Sequence, residues 1–106
     1  MISISALMNT INNISYFINQ NIKMFNSFDN IYLFGSILND GKIPNDVDIL
    51  LIYSKYSEHL ISDLNIICSV FADISELPID FTILSIEEEK DTGFLKKLNS
   101  KYLKLK

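Results

Sequence analysis

Apolar residues recur at Leu7, Ile11, Ile14 and Ile18, with Met8 and Phe17 flanking the same stripe. Steps of three and four residues place these positions on one face of a helix, so an amphipathic first helix is predicted, with Ser5 or Ser3 as its N-cap. The polar run Asn19-Gln20-Asn21 weakens it before Asp29-Asn30. The pattern then changes. Ile31-Tyr32-Leu33-Phe34 is a short apolar run, rich in aromatics and closed by Gly35, and it reads as a buried strand. Ser36 to Asn39 reads as the first turn of a short helix, stopped by Asp40-Gly41 and Pro44.

Asp46 to Tyr53 is the second strand, almost wholly apolar after its two acids. From Ser57 to about Phe71 the helical period returns: Leu60, Leu64, Ile67 and Phe71 share a face, with Ile61 and Cys68 beside them. Pro78 introduces a third strand, Ile79 to Leu84. Ser85-Ile86-Glu87-Glu88 then has the spacing of a capping box and opens a helical tail. The order helix–strand–strand–helix–strand–helix predicts an α/β (α+β) fold, a small mixed β-sheet with flanking helices. With no repeat, linker or low-complexity segment, residues 1–106 read as one domain.

Composition narrows the function more than the fold. At 106 residues the chain supports a single core. Its formal net charge of −4 is unevenly spread: all 13 acids precede residue 96, whereas the last eleven residues hold five lysines (Lys96, Lys97, Lys101, Lys104, Lys106). An acidic body disfavours broad contact with a nucleic acid backbone and suits a site that concentrates cations. The single cysteine excludes an internal disulfide and points to the cytoplasm. No apolar run nears the roughly 20 residues that span a bilayer, so no membrane role is expected. The beginning of the chain lacks the basic region of a signal peptide.

Several residues have an ordinary structural reading. His59 reads as a solvated helix residue, Cys68 as a buried thiol on its helix stripe, and Glu87-Glu88-Glu89 as acids complementing a helix dipole. The lysine-rich tail reads as a solvated helix face; the functional alternative is a docking segment for RNA or an acidic partner, and a third reading buries Tyr102, Leu103 and Leu105 against a second subunit. Small sheets leave edges to cover, so self-association or a permanent partner is expected.

Three aspartates are different. Asp46-Val47-Asp48 follows Leu33-Phe34-Gly35-Ser36 after nine intervening residues, and Asp80 lies inside the apolar run Ile79-Asp80-Phe81-Thr82-Ile83-Leu84. Positions i and i+2 of a strand face the same way, so Asp46 and Asp48 project together. If the third strand lies beside the second, Asp80 completes the group. Clustered carboxylates repel one another at low dielectric, and Mg²⁺ resolves the conflict while leaving room for phosphate oxygens. Two such ions about 3.5–4 Å apart serve in-line displacement of pyrophosphate. In that reading Asp46 and Asp48 bridge the metals, and Asp80 binds one of them and helps deprotonate a hydroxyl. Gly35 admits a triphosphate close to the backbone, Ser36 and the turn amides meet its oxygens, and Lys42 is a nearby cation.

The segment GSILNDGKIPNDVDILLIY, with PIDFTIL downstream, resembles the signature of the DNA polymerase β nucleotidyltransferase superfamily, in which a Gly-Ser turn precedes Asp-x-Asp and a later strand brings a third Asp. The likeness covers about Ile31 to Leu84, and the short chain looks like a minimal nucleotidyltransferase. The loop after Gly-Ser carries Lys42 where members usually carry arginine. The resemblance implies a polymerase β-like fold and a Mg²⁺-dependent enzyme moving a nucleoside monophosphate, AMP from ATP or another NTP, onto a hydroxyl. It also implies an antitoxin role beside a HEPN-type toxin whose tyrosine receives the AMP. Two other readings fit the same residues: an inactive antitoxin that blocks a partner by contact, and an enzyme modifying a small molecule such as an antibiotic.

Overall fold

The computed structural model describes residues 4–38, 45–74 and 77–106. Helix α1 (Ile4–Gln20) is followed by a 3-10 turn (Ile22–Phe25) and strand β1 (Asn30–Phe34). A second 3-10 turn (Ser36–Leu38) precedes β2 (Val47–Tyr53), helix α2 (Glu58–Ile74) and β3 (Ile79–Ser85). Two short helices, α3 (Ile86–Thr92) and α4 (Phe94–Lys97), lead into β4 (Tyr102–Lys104). The four strands form one mixed sheet in the order β3-β2-β1-β4, with β1 antiparallel to both neighbours and β2 parallel to β3. The predicted mixed α+β class is what the chain adopts.

The sheet is covered unequally. On one face, Ile31, Leu33, Val47, Ile49 and Leu51 meet Ile14 and Ile18 of α1 and Leu60, Ile67 and Phe71 of α2, nearly all fully buried. The stripes anticipated for the two long helices are core faces at Ile11, Ile14 and Ile18 and at Leu60, Leu64, Ile67 and Phe71, while the side chains of Leu7 and Met8 lie outside the described residues. Phe17, Phe25, Phe71 and Phe81 fill the centre, with ring centroids 5.4–6.0 Å apart. Ser57 caps α2, its Oγ accepting from the Leu60 N–H at 3.3 Å. For α1, Ser5 lies inside the helix and Ser3 lies outside the described residues. No helix among the described residues is long and apolar enough to cross a membrane.

On the second face Tyr32, Leu50 and Ile52 are buried beneath Leu84, Ile86, Phe94, Leu95 and Tyr102. The capping box read from the sequence is present: Ser85 Oγ accepts from the Glu88 N–H at 3.0 Å, and Glu88 Oε1 accepts from the Ser85 N–H at 2.9 Å. The helix it opens is short. Gly93 adopts φ +62° and ends α3, its N–H donating to the Glu89 carbonyl at 2.8 Å.

Two expectations are corrected here. The tail is not a solvated helix face. Asn99 and Ser100 take positive φ, 52° and 65°, and turn the chain into β4, which pairs with β1. Tyr102 then stacks edge-on against Tyr32, centroids 5.2 Å apart, and Leu105 joins the main core. The alternation of Tyr102, Leu103, Lys104 and Leu105 is a strand period masked by lysines. Cys68 is exposed rather than buried, because α2 turns Leu60, Ile67 and Phe71 to the sheet and leaves Cys68 on its flank.

Lys106 is a structural pin. Its Nζ donates to the carbonyls of Phe25 and Phe28 at 2.8 and 2.6 Å, satisfying oxygens at the end of a 3-10 turn. Lys106→Met keeps most of the aliphatic stem and removes the ammonium. It is expected to lower stability by about 1.5–3 kcal/mol, the range for hydrogen bonds to charged groups, read from the urea midpoint.

Candidate active site

Asp48 and Asp80 are direct partners across the parallel β2–β3 pair, so their side chains share the second sheet face. Asp46 lies just before β2, where the Val47 N–H donates to the Pro78 carbonyl at 2.8 Å and ties the entry of β2 to that of β3. One carboxylate oxygen from each of Asp46, Asp48 and Asp80 lies within 4.8 Å of the others. Asp46 and Asp48 are half-buried and Asp80 is exposed. The sheet thus gathers the three acids singled out in the sequence.

Across the other neighbour, Asp48 stands opposite Phe34, the last residue of β1. Gly35 follows with φ +86°, a conformation that L side chains rarely adopt. A Cβ on Gly35 would overlap the Asp48 carboxylate, its ideal position lying 3.0 Å from Asp48 Cγ and 3.2 Å from Asp48 Cβ. Glycine is required here for the carboxylate, independently of any nucleotide. Ser36 then begins the 3-10 turn, whose Leu38 N–H donates to the Gly35 carbonyl at 3.1 Å and whose Ile37 is buried in the core. The Gly-Ser turn is held against the acids by packing. Lys42 lies outside the described residues.

Every influence on the two half-buried acids acts in one direction. Asp46 is raised above its usual 3.8, first by a side-chain hydrogen bond with Asp80, then by burial and by the charge of Asp80. Asp48 is raised chiefly by burial, then by the charges of Asp46 and Asp80. A folded-state pKa above the unfolded value means that the folded chain binds more protons through that window, so stability falls as pH rises across it. Metal-free protein is therefore expected to lose stability, relative to an Asp46→Asn/Asp48→Asn variant, as pH rises from about 4 toward neutral. Millimolar Mg²⁺ should restore stability near neutral pH to wild type alone. Thermal melts of both proteins across pH, with and without Mg²⁺, check both signs.

Three hard carboxylate oxygens gathered within 4.8 Å suit a hard divalent cation, and these residues fit one. The sequence reading missed the aromatic flank of the site. Phe94 meets Phe34 edge-on at 5.3 Å, and Tyr102 is the β4 partner of Phe34, so this wall runs beside Asp48. Burial pushes the Tyr32 hydroxyl pKa up, aided by Tyr102 and Glu89. The signal that could have found this wall is Gly93, a helix stop one residue before Phe94, together with the strand period after it. A hollow of about 460 Å³ lined by Asn13, Tyr16, Phe17, Asn21 and Asp73 lies between α1 and α2 and takes in none of Asp46, Asp48 and Asp80. His59 is exposed, as anticipated.

No family model and no curated protein sequence matches the chain. Among solved structures, the chain is similar to a proposed nucleotidyltransferase from Sulfolobus solfataricus, with a TM-score of 0.58 and 19% sequence identity over 95% of this chain and 83% of that one. That similarity establishes a nucleotidyltransferase-like fold for nearly the whole chain.

Proposed function

We propose that this protein is a Mg²⁺-dependent nucleotidyltransferase that moves AMP from ATP to a hydroxyl on a partner protein. The carrying observation is the convergence of the Asp46, Asp48 and Asp80 oxygens within 4.8 Å beside a Gly-Ser turn. Asp46 and Asp48 would hold the two ions, and Asp80 would share one of them. Bound there, the ions supply charge neutralisation for the phosphates and for the leaving pyrophosphate.

The chain's own groups do the rest. Ser36 Oγ and the turn amides after Gly35 donate to the terminal phosphate oxygens and hold the triphosphate along the β1 end of the site. Asp80, the exposed member of the cluster, takes the hydroxyl proton of the acceptor. The hydroxyl oxygen bonds to the α-phosphorus as the bond to the bridging oxygen of pyrophosphate breaks. The acceptor class and the antitoxin role rest on the sequence resemblance, which favours a tyrosine of a HEPN-type toxin. A cytoplasmic setting is consistent with the lone cysteine.

The test is direct. Incubate the protein with Mg²⁺, α-labelled ATP and the product of the neighbouring gene, beside an Asp46→Ala/Asp48→Ala control. Label on the second protein that vanishes with the double variant supports transfer. Neutralisation of that protein without label, surviving the substitutions, would replace catalysis with contact inhibition.

A further inference from the structure

The sheet has two edges, and they are built differently. β4 is three residues long, and both Lys104 and the preceding Lys101 are exposed, the usual protection of an edge against pairing. β3, at the other edge, runs seven residues with no lysine and no proline. Since the Val47 N–H donates to the Pro78 carbonyl, alternation turns the main-chain groups of Asp80, Thr82 and Leu84 toward β2. Those of Ile79, Phe81 and Ile83 point outward. Among the described residues nothing takes them up, whereas the Ser85 N–H is closed by Glu88.

The helix above this edge carries an independent sign. Asp63 accepts from Ser27 Oγ at 2.6 Å, and Asp73 shares a hollow with α1, so that flank of α2 faces β1 and α1. At roughly 100° per residue, Ile61 and Cys68 fall on the opposite flank, over the β3 side. Both are exposed, Ile61 at 43%. An apolar helix flank and an open strand edge thus lie side by side.

We propose that β3 pairs antiparallel with β3 of a second copy of this chain, across a twofold axis at Phe81. In this register each outward N–H and C=O of Ile79, Phe81 and Ile83 finds a partner. On the helix face Ile79 meets the partner's Ile83, and Phe81 meets the partner's Phe81, apolar pairs that favour a sheet. On the other face Asp80 stands opposite the partner's Thr82, a neutral residue, and its carboxylate stays open above the sheet. No like charges are opposed. Strand spacing of about 4.8 Å sets the two α2 helices about 10 Å apart, a normal packing distance that buries Ile61 and Cys68 of both copies. The pairing is isologous, as a twofold dimer requires.

Sedimentation and amide hydrogen exchange test this on the unmodified protein. The chain should dimerise, and as concentration rises the Ile79, Phe81 and Ile83 amides should gain about tenfold protection or more. Asp80, Thr82 and Leu84 should stay protected throughout. A chain that remains monomeric, or a dimer in which those three amides still exchange freely, overturns the proposal. So does protection that arises only when a different protein is added. Ile61→Lys, an exposed substitution outside the acid cluster, should weaken the dimer about tenfold or more. In a Cys68→Ser background, Asp80→Cys/Thr82→Cys should close a covalent dimer on oxidation. Rapid closure by Thr82→Cys alone would shift the axis to Thr82 and overturn the proposed register.

Discussion

Asp48→Asn is expected to abolish Mg²⁺-dependent binding of a nucleoside triphosphate and to lower transfer by about 10³-fold or more, some 4 kcal/mol of lost stabilisation. The substitution conserves shape and removes one charge at the middle of the cluster. Asp48 is the acid that touches both neighbours: it is the β3-facing partner of Asp80 and fills the space above Gly35. Its effect on folding should have the opposite sign. Burial and the charges of Asp46 and Asp80 hold the Asp48 carboxyl above its usual range, so ionising it at neutral pH costs stability without a cation. The variant should therefore melt higher than metal-free wild type near neutral pH while losing the further rise that Mg²⁺ gives wild type. Calorimetric titration of a non-hydrolysable ATP analogue, beside thermal melts, reads both signs. An aspartate kept for the fold alone would show lower stability and unchanged nucleotide binding.

Gly35→Ala should destabilise the fold by about 2–3 kcal/mol and disable the site together. Two costs combine. Alanine disfavours φ +86°, worth about 1 kcal/mol, and its methyl would enter the space held by the Asp48 carboxylate. The second cost is removable. In Gly35→Ala/Asp48→Ala the added methyl meets no carboxylate, so the penalty of the glycine change should fall toward the backbone part alone. A double-mutant cycle by urea denaturation should then give a coupling of about 1–2 kcal/mol between the two positions. Additive effects would show that Gly35 serves the turn and owes nothing to Asp48.

What the sequence disclosed follows from where its physics is local. The helix stripes at Ile11, Ile14, Ile18 and at Leu60, Leu64, Ile67, Phe71 are statements of period. Each became the face that packs on the sheet. The Asp46–Asp48 pair is equally local, two residues apart at the start of β2, although Asp46 lies just before the strand and is held there by the tie between Val47 and Pro78. Asp80 needed the further step that β3 lies beside β2, which a parallel crossover through α2 supplies. The reason for Gly35 was legible only in part: its freedom was attributed to phosphate approach, whereas the immediate neighbour is the Asp48 carboxylate.

The misses are non-local. β4 carries three residues, two of them long and polar or aromatic, and nothing in that stretch outweighs the helical look of the lysines. Its place depends on β1, some seventy residues earlier, through the Phe34–Tyr102 register. Cys68 sits where the apolar stripe of α2 ends, and a helical wheel does not tell a core position from a flank until the width of the sheet beneath it is known.

The most direct test of the metal assignment is a crystal grown or soaked with Mn²⁺ and a non-hydrolysable ATP analogue, with data collected at the manganese edge. Anomalous peaks about 2.1 Å from oxygens of Asp46, Asp48 and Asp80, with the triphosphate lying along the Gly35-Ser36 turn, are the expected result. A bound nucleotide without manganese at these three carboxylates, or manganese held elsewhere on the chain, would contradict it.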